Sequence, residues 1–217
     1  MTATIQRRRK PQAESQSTAK PPTLPDGMPS EPICRITVEQ YHEMIRAGIL
    51  SEDDPIELLE GWLVRKMPKN TPHAVSNNLV RDCLAKLLPA GWSIRVQDPV
   101  TLFDSEPEPD IAVVRGSQRD FNKRHPTANE LELVAEIADT SISRDKGWKK
   151  SVYARAGIPV YWIIHLAESS IEVFTEPKAA AEKSDYGTHQ IYSAKQKVPV
   201  VLNGKKVGTL LVADVLP

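Results

Sequence analysis

Two cysteines in 217 residues, Cys34 and Cys83, are too few for a disulfide framework, and their contexts and spacing fit no zinc site, so both read as reduced thiols. Charge of either sign is not in excess: 28 Lys and Arg face 28 Asp and Glu, so there is no global basic field, and any nucleic-acid contact would need a local basic surface. No apolar run approaches the length of a membrane span, and the basic N-terminus is not followed by the apolar stretch of a secretory signal, so a cytoplasmic protein without membrane contact is expected. Internal repeats, phosphate-binding glycine loops and nucleophile elbows are also missing. What is there is ordinary for one soluble domain with a tail: 40% hydrophobic and 26% charged residues.

The tail is residues 1–31, rich in Pro, Ser, Thr, Gln and basic residues, with the run Arg7–Lys10. It has too few large apolar side chains to offset its ordering entropy, so a disordered arm is expected, with residues 32–217 as the folded domain.

Within that domain, Thr37 and Gln40 have capping-box spacing at the start of a helix ending near Gly48. Residues 55–67 read as two strands turning at Gly61. A helix should start near Thr71 with Pro72 in its first turn and Val75, Leu79, Cys83, Leu84, Leu87 and Leu88 on its buried face. Strands are expected at Trp92–Val96, Pro99–Phe103, Ile111–Val114, Leu131–Ala138, Val160–Leu166, Ser170–Thr175, Gln190–Ser193, Val198–Leu202 and Lys206–Val212, the last two joined by an Asn203-Gly204 turn. Between Ala138 and Val160 lies a helix with Ser143 or Asp145 as a potential cap and Trp148, Val152 and Ala156 as its buried stripe. Tyr161 and Trp162 fit core packing better than base stacking.

Glu136 is the most informative residue, because an acid inside the run Leu133-Val134-Ala135-Glu136-Ile137 is expensive to bury unless something positive holds it. Asp110 opens another apolar run, and Lys149 follows on the next helix. Two strand-borne carboxylates near a lysine suit a hard divalent cation, which takes oxygen ligands and keeps waters for chemistry. Each acid alone equally fits a structural reading, Asp110 as a turn or cap residue and Glu136 as half of an ion pair. The polar loop 115–130 gathers Arg119, Lys123 and Arg124 around Phe121 and offers candidate phosphate contacts, against the plain alternative of a solvated loop. Glu106 and Glu108 in the turn before Asp110 would either strengthen the attraction for a cation or repel a phosphate backbone.

The order Glu-Pro-Asp-x-x-Val-Val, Leu-Val-x-Glu-x-x-x-x-Ser, then Lys149, Tyr153, Ala154, Gly157 and Tyr161-Trp162 resembles the Uma-two family of restriction-endonuclease-like proteins, in the PD-(D/E)XK nuclease superfamily. The likeness runs over roughly residues 35–215 and takes in Ile56–Leu63 and the stretch with Pro72 and His73 at the next helix start. It implies an α/β (α+β) fold, a restriction-endonuclease-like mixed central sheet flanked by helices, with extra C-terminal antiparallel strands. It further implies Asp110 and Glu136 as metal and catalytic acids and the Ile137 carbonyl as a ligand of Mg2+ or Mn2+. The superfamily's usual lysine lies two residues beyond the second acid, where this chain has Ala138, so its role passes to Lys149. Glu60 and His73 stand where the resemblance places supplementary site residues.

The resulting expectation is a metal-dependent endonuclease hydrolysing DNA. The alternative is a catalytically inactive nuclease-like fold that binds nucleic acid or a protein partner, since fold does not confer activity. A homodimer paired through the C-terminal strands is a third possibility.

Overall fold

The computed structural model describes residues 34–51, 53–139, 142–180 and 183–217. The arm expected over residues 1–31 lies outside them.

The centre is a six-stranded sheet in the order β3-β4-β5-β6-β7-β8, formed by Trp92–Val96, Ile111–Arg115, Leu131–Ala138, Val160–His165, Ser170–Lys178 and Asp185–Ser193. Every neighbouring pair is antiparallel except β5 and β6. A parallel pair needs a crossover, and residues 142–155 supply it as one helical passage: α3 (Ile142–Arg144), a π-helical turn (Asp145–Lys149) and α4 (Lys150–Arg155). All eight residues of β5 are buried, as a central strand covered on both faces requires.

Alternation along the strands separates two cores. Ile111, Val113, Leu133, Ala135, Ile137, Trp162 and Ile164 pack with Val80 and Leu84 of α2 (Thr71–Ala85) and with β9 (Lys197–Leu202) and β10 (Lys205–Leu211). Ala112, Val114, Val134, Ala138, Tyr161 and Ile163 pack on the opposite face with Val152 and Tyr153 of α4. Glu136 shares the parity of Val134 and Ala138, so its carboxylate enters the α4 side. The hairpin of β1 (Ile56–Leu59) and β2 (Trp62–Arg65) stands apart from the main sheet, with α1 (Val38–Arg46) beside it: Tyr41 Oη reaches the Ile56 carbonyl at 3.5 Å.

Several expectations need correction. Pro99–Phe103 forms no strand; Thr101 makes only an isolated bridge to Thr127, and the Leu102 N–H turns back to the Ser105 carbonyl at 2.9 Å, leaving Phe103 98% exposed. The N–H groups of Val100 and Thr101 donate instead to the Pro107 and Pro126 carbonyls at 3.0 and 2.9 Å, on different segments, so no regular ladder forms. Of the face expected on α2, Leu84 is buried and Leu79, Cys83, Leu87 and Leu88 pack against the core, but Val75 is exposed, and Ser76, Asn77 and Val80 are buried instead, toward the C-terminal 3-10 segment Val212–Val215, where Ser76 Oγ donates to the Val215 carbonyl at 2.7 Å. Asp145 does not cap the crossover helix but sits inside it; the expected stripe of Trp148, Val152 and Ala156 does pack against the core, and through the π turn Asp145, Lys149 and Tyr153 are buried as well. The strand expected at Gln190–Ser193 is the end of the longer β8. Asn203 and Gly204, both at positive φ, make the expected β9–β10 turn, and Tyr161 and Trp162 are wholly buried. Among the described residues no helix is long and apolar enough to cross a membrane.

Gly61 holds the β1–β2 turn at φ +79°, where a Cβ would stand 2.6 Å from Arg35 Cβ and 2.9 Å from the Ile36 carbonyl oxygen. Gly61→Ala should therefore lower the unfolding free energy by about 1–3 kcal/mol, read as a fall in the urea midpoint at unchanged slope.

Candidate active site

The site begins where two strands end unequally. β4 starts at Ile111 opposite Ala135, yet β5 continues through Glu136, Ile137 and Ala138 alongside β6. The Ile137 N–H thus has no strand partner on the β4 side, and Asp110 Oδ2 accepts it at 2.8 Å. N–H and C=O of one strand residue leave on the same side, so the Ile137 carbonyl also faces the Asp110 side. Asp110 is fixed further by His73 Nε2 at 3.0 Å and by Gln97, whose Nε2 donates to Oδ1 at 3.2 Å and whose N–H donates to the Asp110 carbonyl at 3.1 Å. Gln97 makes this double contact from a left-handed backbone conformation, φ 56°.

Glu136 Oε1 accepts from Lys149 Nζ at 3.0 Å and from Tyr153 Oη at 2.7 Å. Lys149 and Tyr153 are one helical turn apart at the junction of the π turn and α4, so one helix face delivers both. Lys149 also lies 3.3 Å from Glu57 Oε2 on β1, and Glu57 is 1% exposed. These groups enclose a cavity of about 70 Å³, lined by Glu57, Asp110, Glu136, Ile137, Asp145 and Lys149 in its wall and by Lys66, Lys69, Asn70 and Arg144 among others. That is room for a small number of water-sized occupants.

Its charge is unbalanced, with four buried carboxylates, Glu57, Asp110, Glu136 and Asp145, around one buried lysine. Burial pushes the Glu136 carboxyl up to about 8; Lys149 opposes the rise, and Asp110, Asp145 and Glu57 add to it. Burial likewise disfavours charge on Asp110, but the His73 hydrogen bond, the Ile137 N–H and Lys149 outweigh it and hold that carboxyl below its usual range. Burial works against the Lys149 ammonium too, and Glu136, Glu57 and Asp145 overcome it and raise its pKa. Burial and the neighbouring acids thus favour the protonated form of Glu136, and Lys149 favours its ionised form, whereas Asp110 is held on the ionised side.

Of the residues singled out in the sequence, Asp110, Glu136, Ile137, Lys149 and His73 converge here. Glu60 does not: it accepts from Trp148 Nε1 at 2.9 Å and from Arg155 at 2.7 Å, and Glu57 occupies the wall instead. Arg119, Lys123 and Arg124 do not line this cavity either. Arg119 is exposed, whereas Lys123 and Arg124 border a separate open hollow with His42 and Glu106, and Arg124 is paired with Glu130 at 2.6 Å. Glu106 belongs to that hollow, paired with His42, while Glu108 lines the acid cavity and binds Lys66 at 2.8 Å. Glu57 was discoverable by the argument that singles out Glu136, an acid within an apolar run, here Ile56-Glu57-Leu58-Leu59. Gln97 and Asp145 carry no comparable sequence signal.

Among the described residues no three His, Cys, Asp or Glu side chains stand close enough to hold a metal ion by themselves. The donors on offer are the Asp110 and Glu136 carboxylates and the Ile137 carbonyl, an oxygen-only set. Such a partial set matches magnesium, which uses one or two carboxylates and completes its shell with water and substrate phosphate.

Glu136 binds a proton more tightly in the folded chain than in the unfolded one, so its ionisation opposes folding. With chelator present, its contribution should reduce stability progressively from about pH 4.5 to about 8, by about 1.4 kcal/mol per pH unit at the steepest. In Glu136→Gln this loss should vanish, giving a flatter denaturation midpoint against pH than wild type, measured by urea titration across that window.

A family model described as Uma2, "Putative restriction endonuclease", matches residues 38–202, a span holding every residue of this cavity. No curated protein matches the chain. Among solved structures, a protein titled as a putative nuclease belonging to DUF820, from Anabaena variabilis, is similar at TM-score 0.61 and 19% identity, over 83% of this chain and 97% of that one. At that identity the likeness is one of fold. The family match over most of the sequence, together with this architecture, means that the chain belongs to the Uma2 family.

Proposed function

We propose that the protein is an endonuclease that hydrolyses phosphodiester bonds of DNA with Mg2+ or Mn2+, acting as a cytoplasmic enzyme. The observation that carries this reading is the convergence of Asp110, Glu136 and Lys149 on one cavity whose buried acids outnumber its buried base. Family membership supports it independently. The oxygen donors of Asp110, Glu136 and Ile137 fit a hard cation better than zinc, which favours nitrogen and sulfur ligands. A bound cation would supply charge to polarise the phosphate and to make an attacking water acidic enough to ionise at neutral pH.

The chain's own residues carry the remaining tasks. Gln97, His73 and the Ile137 N–H hold the Asp110 carboxylate in one orientation, and His73, the Ile137 N–H and Lys149 favour its ionised form. Tyr153 fixes Glu136, and Glu57 gives Lys149 a second carboxylate to hold, so its ammonium stays charged when Glu136 engages another partner. Lys149 then orients the attacking water or stabilises negative charge growing on the phosphoryl oxygens, where a preorganised cation in a water-poor pocket is effective.

Plasmid and linear duplex DNA incubated with Mg2+ or Mn2+ should be cut by wild type and spared in EDTA. Asp110→Asn and Glu136→Gln should each cut at least about 100-fold more slowly with unchanged circular dichroism, since even groups behind a metal's direct ligands are worth 10–100-fold. Cleavage by either variant at the wild-type rate would remove the assignment. Glu57→Gln should retain metal-dependent cleavage at a reduced kcat, because it loosens Lys149 without touching the proposed ligands; the check is a single-turnover rate beside the wild-type one.

A further inference from the structure

A phosphodiester is an anion, and the cavity proposed to receive it is lined by Glu57, Glu108, Asp110, Glu136, Asp139 and Asp145. Something at its mouth must offset that field. Four cationic side chains line it, Lys66, Lys69, Arg144 and Lys149, and three are already engaged. Lys66 binds both oxygens of Glu108 at 2.8 Å, Lys149 lies between Glu136 and Glu57, and Arg144 is 3.6 Å from Glu57 and donates to the Arg65 carbonyl at 3.2 Å. Among the described residues Lys69 makes no ion pair and no hydrogen bond.

Its position is nonetheless well defined. Lys69 lies on the short strap 66–70 between β2 and α2, tied at one end by the Lys66 N–H to the Pro55 carbonyl at 2.7 Å. At the other end Asn70 caps α2, its side chain accepting the His73 N–H at 3.1 Å. Pro68 fixes one dihedral of the strap and restricts Met67 before it. Met67, 47% exposed, and the exposed Pro68 form an apolar lip beside the lysine. A cation on a tethered strap next to an apolar lip, over an acid cavity, suits a polymer of phosphates joined by sugars better than a free inorganic anion.

We propose that Lys69 is a substrate-positioning residue that binds a non-bridging oxygen of the nucleic-acid phosphate entering the cavity. The inference rests on the nuclease reading for its substrate class, and it assigns to the 66–70 strap a role distinct from that of Lys149, which is held inside.

The test is DNA binding by fluorescence anisotropy, in a Glu136→Gln background that does not cut, with a labelled duplex oligonucleotide over a range of salt. Lys69→Ala should weaken binding about 3–10-fold and reduce the slope of log affinity against log salt by about 0.9. Lys69→Arg should retain most of both, and Lys205→Ala, on the remote β9–β10 hairpin, should change neither. With Glu136 restored, Lys69→Ala should raise KM by a similar factor and leave kcat within about twofold. Unchanged affinity and salt slope in Lys69→Ala, or an equal loss in Lys205→Ala, would overturn the role of Lys69 while leaving the nuclease reading intact. DNA binding of this pattern without any cleavage by wild type would do the reverse. Failure of the Glu136→Gln protein and of wild type to bind DNA at all would overturn both.

Discussion

The contact between Glu136 and Lys149 is the constraint on which the rest of the site depends. An isolated carboxylate on a fully buried strand costs several kcal/mol to ionise, and a buried ion pair repays that cost only with good geometry and further hydrogen bonds. Here the lysine is shared with Glu57, and Tyr153 donates to the same Glu136 oxygen that Lys149 contacts. The arrangement still leaves more acid than base, so burial and neighbouring acids drive Glu136 to hold a proton. A fold selected only for stability would fill such a position with an apolar side chain. The acids retained there are what the proposed cation site rests on.

Two irregularities in the backbone make the contact possible. β5 overruns β4 by three residues, which frees the Ile137 backbone from the ladder on that side and gives its N–H to Asp110. The crossover that a parallel β5–β6 pair demands then returns over the same strand end, and its π turn rotates Asp145, Lys149 and Tyr153 inward. Had the crossover been a regular α-helix with only the stripe Trp148, Val152 and Ala156 facing the sheet, Lys149 would lie beside the cavity wall and not in it. Trp148, packed against the core beside α4, donates from Nε1 to Glu60, which ties the β1–β2 turn to the crossover.

Charge is sorted in space in a way that a net value of zero conceals. Acids occupy the floor of the cavity, and Lys66, Lys69 and Arg144 border it. The other basic loop, with Lys123 and Arg124, faces a different hollow whose buried carboxylate, Glu106, is paired with His42. Among the described residues both surfaces carry basic residues beside acid, and the one at the β4–β5 end brings together Asp110, Glu136 and Lys149.

The sequence by itself determined which residues would be anomalous. An acid within Leu133–Ile137, an acid opening Ile111–Val114 and a lysine on the following helix are each visible as charges placed where hydrophobic periodicity leaves no solvent for them, and the structure brings all three together. The strands of the central sheet and the Asn203-Gly204 hairpin were equally legible, because alternation and turn chemistry are local. Which of Glu57 and Glu60 faces the site, whether loop 118–130 joins it, and how Asp110 is held were decided only by tertiary structure. Glu57 and Glu60 are three positions apart, the second already in the turn where left-handed Glu60 and Gly61 reverse the chain, so neighbouring elements alone determine which one meets Lys149. Gln97 and Asp145 reach their places through a left-handed residue and a π turn, and neither conformation follows from residue type; each exists because packing against β4, β5 and the crossover overrides local preference.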